Sequence, residues 1–266
     1  MSTTLASAAP LYFNGFETDL ADSATTSWSG GGVARVASGT SGITSADGAF
    51  HAVTTSSGTF GRWGGYNYGA GNAVPTAFQP YRTSVDIYLN VAGGWANNTR
   101  FDFSSAINIS AGTHLSDFIF NGGFYNDATG PGANTNRFVI SASNNSQPGS
   151  AFAKNPARDP IAISTTGWYT FEHTFYDNAG VLAVDMEIFD AADTLLNSWT
   201  LSNPLHLLAG VGGNRYGWFD FNEFSTLAFD NALLEITPAA SVPEPATLLL
   251  VGASLLGLAA TRRRRA

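Results

Sequence analysis

The sequence predicts an all-β fold of two antiparallel sheets packed as a sandwich, followed by a short C-terminal transmembrane helix. Three observations carry this. Residues 11–236 show no long apolar period of 3.6 residues, only short alternating runs broken by Gly, Asn, Asp and Pro. Residues 167–202 read as three successive strands joined by turn residues. Residues 246–261 hold no charge and run directly into four arginines, Arg262, Arg263, Arg264 and Arg265.

Composition sets the bounds. The chain has 266 residues, 44% hydrophobic and only 12% charged, enough for one large all-β domain with a real core. Solubility then rests on Ser, Thr, Asn and Gly, a neutral polar surface common in exported β-proteins. The net charge is −8; without Arg262–Arg265 the chain carries 8 basic against 20 acidic residues, a net of −12. A body so acidic is no partner for nucleic acid, whose phosphates need a basic face. There is no cysteine, which excludes disulfides, thiolate nucleophiles and Cys-ligated metal.

The body is taken in order. Strands are expected around 11–16, 33–37, 49–54, 82–91, 99–103, 117–120, 136–142 and 226–236. The clearest pattern lies in 167–202. Tyr169, Phe171, His173 and Phe175 alternate with Thr170, Glu172 and Thr174; Asp177-Asn178-Ala179-Gly180 is turn chemistry. Leu182, Val184, Met186 and Ile188 alternate with Ala183, Asp185 and Glu187, a turn follows at Asp190–Asp193, and Leu196–Leu201 forms the third strand. Such a meander has one buried and one wet face. Residues 214–224, NRYGWFDFNEF, read as a core strand.

The tail is read from its physics. Residues 246–261 would form a helix of roughly 24 Å in lipid, short of the ~30 Å hydrocarbon core but able to span a thin membrane. The block of Arg262, Arg263, Arg264 and Arg265 supplies the membrane stop and keeps the C-terminus cytoplasmic. Upstream, Pro243 and Pro245 flank Glu244 and hold that stretch extended.

Val242-Pro243-Glu244-Pro245, the apolar run and the arginine cluster, in this order at the C-terminus, resemble the PEP-CTERM sorting tail. The resemblance covers about the last twenty-five residues. It implies an exosortase as processing partner, a membrane enzyme of bacteria that make extracellular polysaccharide. It further implies export, transient anchoring in the bacterial inner membrane, cleavage near Pro-Glu-Pro, and delivery to the cell surface or matrix. An export signal is then expected at the N-terminus. MSTTLASAAP has no basic or apolar region, but Ala6-Ser7-Ala8 fits a small-residue cleavage site. Residues 1–9 are therefore read as a signal-peptide stub whose true start lies upstream. The expected division is 1–9 stub, 10–237 sandwich, 238–245 linker and 246–266 transmembrane segment with the arginine cluster.

The meander and the closing LAFDNALLEI, residues 227–236, resemble the concanavalin A-like or laminin-G-like jelly roll. The alternative is the shorter galactose-binding-type jelly roll, because NGFET at Asn14–Thr18 is similar to the opening of such carbohydrate-binding modules.

Several side chains are candidates for chemistry. Asp185 and Glu187 share a strand face, the arrangement from which jelly-roll glycosidases of the laminarinase type draw their paired carboxyls. Position 189 is Phe, which breaks the three-acid pattern, so a solvated strand face is the preferred reading. There is no Gly-x-Ser-x-Gly elbow, and His51, His114, His173 and His206 show no metal-type pairing. His173 falls in the inward register. Structural calcium is the candidate cofactor, with Glu17, Asp19, Asp230 and Asn231 as its oxygen donors if the first and last strands lie close. Trp63, Tyr66 and Tyr68 in RWGGYNYG, with Trp95 in GGWANN, are candidates for stacking against sugar rings. The expectation is an exported surface or matrix protein with a non-catalytic, carbohydrate-binding body, the ligand being extracellular polysaccharide. The opposing expectation is a secreted glycoside hydrolase or lyase on the same fold.

Overall fold

The computed structural model describes residues 10–19, 28, 32–57, 63–68, 77–144 and 152–237. The expected signal-peptide stub and the linker with Val242, Pro243, Glu244 and Pro245 lie outside the described residues. So do the expected transmembrane segment and its stop, Arg262, Arg263, Arg264 and Arg265. Among the described residues no helix is long and apolar enough to cross a membrane.

Two antiparallel sheets form a jelly-roll-like sandwich. The strands are β1 (Pro10–Asn14), β2 (Val33–Ala37), β3 (Phe50–Thr54), β4 (Trp63–Tyr68), β5 (Tyr81–Leu89), β6 (Thr99–Ile109) and β7 (His114–Tyr125). They continue as β8 (Arg137–Ser143), β9 (Ile161–Ile163), β10 (Gly167–Asn178), β11 (Val181–Asp190), β12 (Leu195–Leu207), β13 (Val211–Asn222) and β14 (Ala228–Ile236). Sheet one runs β12-β11-β10-β5-β14-β3-β2, with β1 also beside β14. Sheet two runs β4-β13-β6-β7-β8-β9.

The alternation read in 167–202 places the core. Tyr169, Phe171, His173 and Phe175 on β10 are buried, as are Leu182, Val184, Met186 and Ile188 on β11. Their partners come from sheet two. Phe171 meets Phe120 edge-on at 5.1 Å between ring centroids, and Phe175 meets Phe118 at 5.3 Å. Each such ring buried contributes about 2–3 kcal/mol by transfer alone. Trp28 plugs the far part of the core beside Phe229, its indole N–H donating to the Tyr12 hydroxyl at 3.0 Å.

Three differences from the expected strands have physical reasons. The glycine-containing segment 63–68 is a strand, because β13 supplies a hydrogen-bonding edge for it. β12 runs on to Leu207 past Pro204, which an edge strand tolerates because one row of its amides needs no partner. β6 and β7 are each longer than expected, since their outward residues, Asp102, Ser104 and Asn121 among them, hide the alternation behind short polar side chains.

Candidate functional site

The loop after β5 builds the first feature. Asn90 organises it: its side-chain oxygen accepts from the Ala92 amide at 3.1 Å, and its carbonyl accepts from the Gly93 amide and the Trp95 indole, both at 3.1 Å. The indole lies over Gly93, where an added Cβ would fall 2.3 Å from Nε1, so glycine is required. Trp95 is half-buried and meets Phe224 edge-on at 5.0 Å. It forms one wall of a cavity of about 180 Å³, with Tyr88, Phe138 and Phe224 as further aromatic walls. Asn90, Thr40, Ser41 and Thr226 supply polar groups. The turn at Gly39–Gly42 borders the cavity with left-handed backbone, φ being 91° at Gly39, 53° at Ser41 and 79° at Gly42.

The second feature is the outer face of sheet two. Phe101, Phe103, Phe118 and Phe120 point into the core, so Asp102, Ser104 and Asn121 point out. Phe219 pairs with Phe103 and Phe221 with Asp102, which leaves Asp220 as the extra residue of a β-bulge beside Asp102. Asn121 donates to Asp102 at 3.0 Å and accepts from Ser143 at 2.8 Å and from Arg158 at 3.0 Å. Ser104 donates to Asp220 at 2.9 Å. Burial pushes the Asp102 carboxyl up to about 6, against the hydrogen bond from Asn121. Burial, then the Asp102 charge, pushes Asp220 up to about 7. The segment 152–158 covers part of this face: Ala153 packs on Tyr125 and Val139, and the Ser141 hydroxyl donates to the Phe152 carbonyl at 2.9 Å. Trp199, from β12 of the other sheet, braces that segment by donating to the Arg158 and Asp159 carbonyls at 2.9 and 3.0 Å.

The residues expected from sequence fall in separate places. Trp63, Tyr66 and Tyr68 lie on β4, Trp63 in register with Phe219 and Tyr68 with Arg215. Their side chains lie outside the described residues. Asp185 and Glu187 do share the outer face of sheet one. Asp185 accepts from Thr200 at 2.6 Å and Tyr176 at 3.3 Å; Glu187 stands opposite Glu172, and burial raises its pKa. His173 is fully buried. His114 and His206, distant in sequence, line one open cleft, where His114 meets Asp117 at 2.9 Å.

Of the four candidate calcium donors, Glu17 and Asp230 reach the loop 46–50. Glu17 accepts from the Ala49 and Phe50 amides at 3.0 Å. Asp230 accepts from the Ala46 amide at 3.1 Å and the Asn231 amide at 2.9 Å, and burial pushes its pKa up to about 7. Asn231 donates from its side chain to Asp86 at 2.9 Å; Asp19 is exposed. Thus Glu17 and Asp230 latch the loop through its own amides, and among the described residues no three His, Asp or Glu side chains converge to hold a metal ion.

The C-terminal tail decides what kind of protein carries these features. Residues 241–265 match the PEP-CTERM protein-sorting motif. The match contains Val242, Pro243, Glu244 and Pro245, and the arginines Arg262, Arg263, Arg264 and Arg265. A PEP-CTERM tail is the recognition signal of exosortase processing enzymes, and it implies export with transient anchoring in the membrane at the C-terminus. No curated protein matches the sequence. Among solved structures the chain is similar to the CBM2 module of the Lactobacillus casei BL23 phage J-1 evolved Dit, at 10% identity over 71% of this chain and 69% of that one, with a TM-score of 0.34. It is similar to metal-free lectin I-B4 from Griffonia simplicifolia at 9% identity over 71% and 80%, TM-score 0.30. Lectin I from Ulex europaeus, solved with the methyl glycoside of α-L-fucose, matches at 9% identity over 79% and 94%, TM-score 0.28.

Proposed function

We propose that the sandwich is a non-catalytic carbohydrate-binding body of an exported surface or matrix protein, and that the cavity beside Trp95 receives a sugar ring. The cavity is the observation that supports this reading. Aromatic walls suit the apolar faces of a pyranose, and Asn90, Thr40, Ser41 and Thr226 suit its hydroxyls. Its volume of about 180 Å³ is that of one small ring; a cavity of roughly 150 Å³ is known to hold benzene. In transit the C-terminus would be cytoplasmic, held there by Arg262–Arg265, with the body on the far side.

Binding is tested by titrating the full chain with a panel of neutral sugars while following tryptophan fluorescence. Trp95→Ala should weaken binding by about tenfold or more, the loss of ~1–2 kcal/mol of stacking. Equal affinity in wild type and Trp95→Ala would remove the cavity as the site. The enzyme alternative is tested on the same panel: sugar release that disappears in Glu187→Gln would make the body a glycosidase. Melting with calcium and with chelator tests the ion. A rise in Tm with calcium that Glu17→Gln or Asp230→Asn abolishes would assign it to the Glu17, Asp19, Asp230 and Asn231 region, and an unchanged Tm would leave these acids as latches alone.

A further inference from the structure

β12 is the outermost strand of sheet one and, at 13 residues, the longest strand described. Its inner edge pairs with β11; its outer edge makes no backbone hydrogen bond among the described residues. Soluble proteins blunt such edges with short strands, charge, proline or a bulge, because a long bare edge is a template for another strand. The outer strand β2 has 5 residues and includes Arg35, and β9 has only 3 residues. β12, LLNSWTLSNPLHL, carries no charged residue. Its proline and its bulge lie at one end. Ser202 pairs with Ala183 and Leu207 with Val181, so Asn203, Pro204, Leu205 and His206 stand opposite Leu182 alone. That bulge leaves Leu205 84% exposed, and Leu207, Leu195 and Leu196 are exposed by 58%, 49% and 39%. Apolar side chains thus stand at both ends of the strand, with exposed Ser198, Thr200 and Ser202 between them.

We propose that β12 is the docking surface for a second copy of this chain: two β12 strands pair antiparallel about a two-fold axis and join two copies of sheet one into one continuous sheet. A two-fold axis normal to the sheet makes the paired strands antiparallel and keeps both inner faces on the same side. The pattern of β12 suits that symmetry. With Trp199 opposite Trp199, residues 196–202 pair with 196–202, and Leu195 of each copy faces Asn203 of the other. Leu195 and Leu196 then lie beside the bulge that carries Leu205. The leucines at one end of the strand cover those at the other, and the symmetry does this twice. Charge selects the same occupant. Without its four terminal arginines the chain has a net charge of −12, so two copies repel over most of their surface. An uncharged strand is where they can meet, whereas a basic partner would be drawn to the acidic remainder of the body. Pairing also gives the bare amides and carbonyls of the outer edge protein partners in place of water.

The test is sedimentation equilibrium of the full chain in density-matched non-ionic detergent over a wide range of concentration. The wild type should follow a monomer–dimer equilibrium. Leu195→Lys with Leu205→Lys in one chain sets like charges against each other at both ends of the contact, and should raise the dissociation constant about tenfold or more. Leu195→Glu with Leu205→Glu should do the same. An equal mixture of the two double variants should regain dimer to within about threefold of wild type, because each lysine then meets a glutamate. Regain in the mixture also shows that both variants are folded. Thr200→Lys, beside the axis, gives the same weakening if a double variant fails to fold. A monomeric wild type would overturn the proposal. So would a dimer that survives in all three variants, which would place association in the apolar tail or on another face. A mixture no more dimeric than its parts, when each part melts like the wild type, would overturn it as well.

Discussion

His173 Nε2 lies 3.0 Å from the carbonyl oxygen of Phe118, a hydrogen bond that joins the two sheets through the middle of the core. A carbonyl only accepts, so Nε2 carries the proton and Nδ1 faces the Thr83 hydroxyl at 3.5 Å. Burial among Phe103, Phe120 and Phe175 pushes the ring's pKa down to about 3, despite the raising effect of the Phe118 carbonyl.

This pair predicts acid sensitivity. The unfolded chain takes up this proton near pH 6.5, the folded chain only near 3. The stability tied to neutral His173 is complete above about pH 6.5 and is lost as pH falls toward 3. His173→Phe removes the titration and also the donor to Phe118, at a cost of about 1–3 kcal/mol at neutral pH. Urea midpoints at pH 7.5 and 4.5 should show a less stable variant that loses less on acidification. An equal loss in both proteins would put the acid sensitivity elsewhere.

Asp220 predicts the opposite slope. The unfolded carboxyl ionises near 3.8 and the folded one only near 7, so between these values the folded state holds the extra proton and stability falls as pH rises. Asp220→Asn keeps an oxygen for the Ser104 hydroxyl and removes the charge. At pH 8 the variant should be stabler by about 1 kcal/mol, roughly 2–4 °C in Tm. The gain should vanish near pH 4; a gain that persists there would point to a cause other than ionisation.

The inward faces were legible in the sequence because their residues are large. Phe171, Phe175, Val184 and Ile188 alternate with small or polar neighbours, and nothing but a strand satisfies that period. The outer-face cluster was not legible. Asp102, Asn121 and Asp220 stand singly in the sequence, and only cross-strand register brings them together, while Arg158 arrives from the segment 152–158. The bulge at Asp220 follows from a pairing shift that no local signal announces. Trp95 was visible as an aromatic between polar residues, but its role as a cavity wall depends on Phe138 and Phe224 arriving from other strands. The candidate acids Glu17 and Asp230 do reach a common loop, because β1 pairs with β14, yet they bind its amides.

Arg137 holds the loop 127–135 closed. Its side chain is fully buried, and the guanidinium serves the carbonyls of Pro131 at 2.6 Å, Thr135 at 2.9 Å, Thr129 at 2.7 Å and Asp127 at 3.2 Å, plus the Asp127 carboxylate at 3.2 Å. Five N–H groups meet five acceptors, a match that lysine's three donors cannot reproduce. Arg137→Lys should cost about 3 kcal/mol or more by stranding a buried charge and its acceptors. Limited proteolysis should then cut within 127–135. A variant as stable and as resistant as wild type would show that water replaces these bonds freely.

The β10–β11 hairpin turns through Ala179 and Gly180, with φ of 53° and 87°, between paired Asn178 and Val181. Two left-handed residues define the tight turn that favours Asn-Gly, and alanine is strained at its first position. Ala179→Asn should raise stability by about 0.5–1 kcal/mol, while Ala179→Val should lower it by at least as much. Thermal melts of the three proteins check the order; a stabilised valine variant would mean that the left-handed turn is not kept.

The last prediction concerns the tail. The motif at 241–265 joins Pro243-Glu244-Pro245 to an apolar run and a positive block. A permanent anchor would need the apolar run and the arginines throughout its life, whereas a sorting signal is spent once the body is delivered. The fourteen strands described all lie between Pro10 and Ile236, and the Thr237 amide still donates to the Pro80 carbonyl at 3.0 Å, so cleavage near Pro243 leaves the sandwich whole. Intact-mass measurement of the protein from its native surface should therefore find a C-terminus before Arg262. Deleting Arg262, Arg263, Arg264 and Arg265 together should reduce the processed fraction by weakening the stop. Recovery of the complete tail on the mature surface protein would instead establish a lasting membrane anchor.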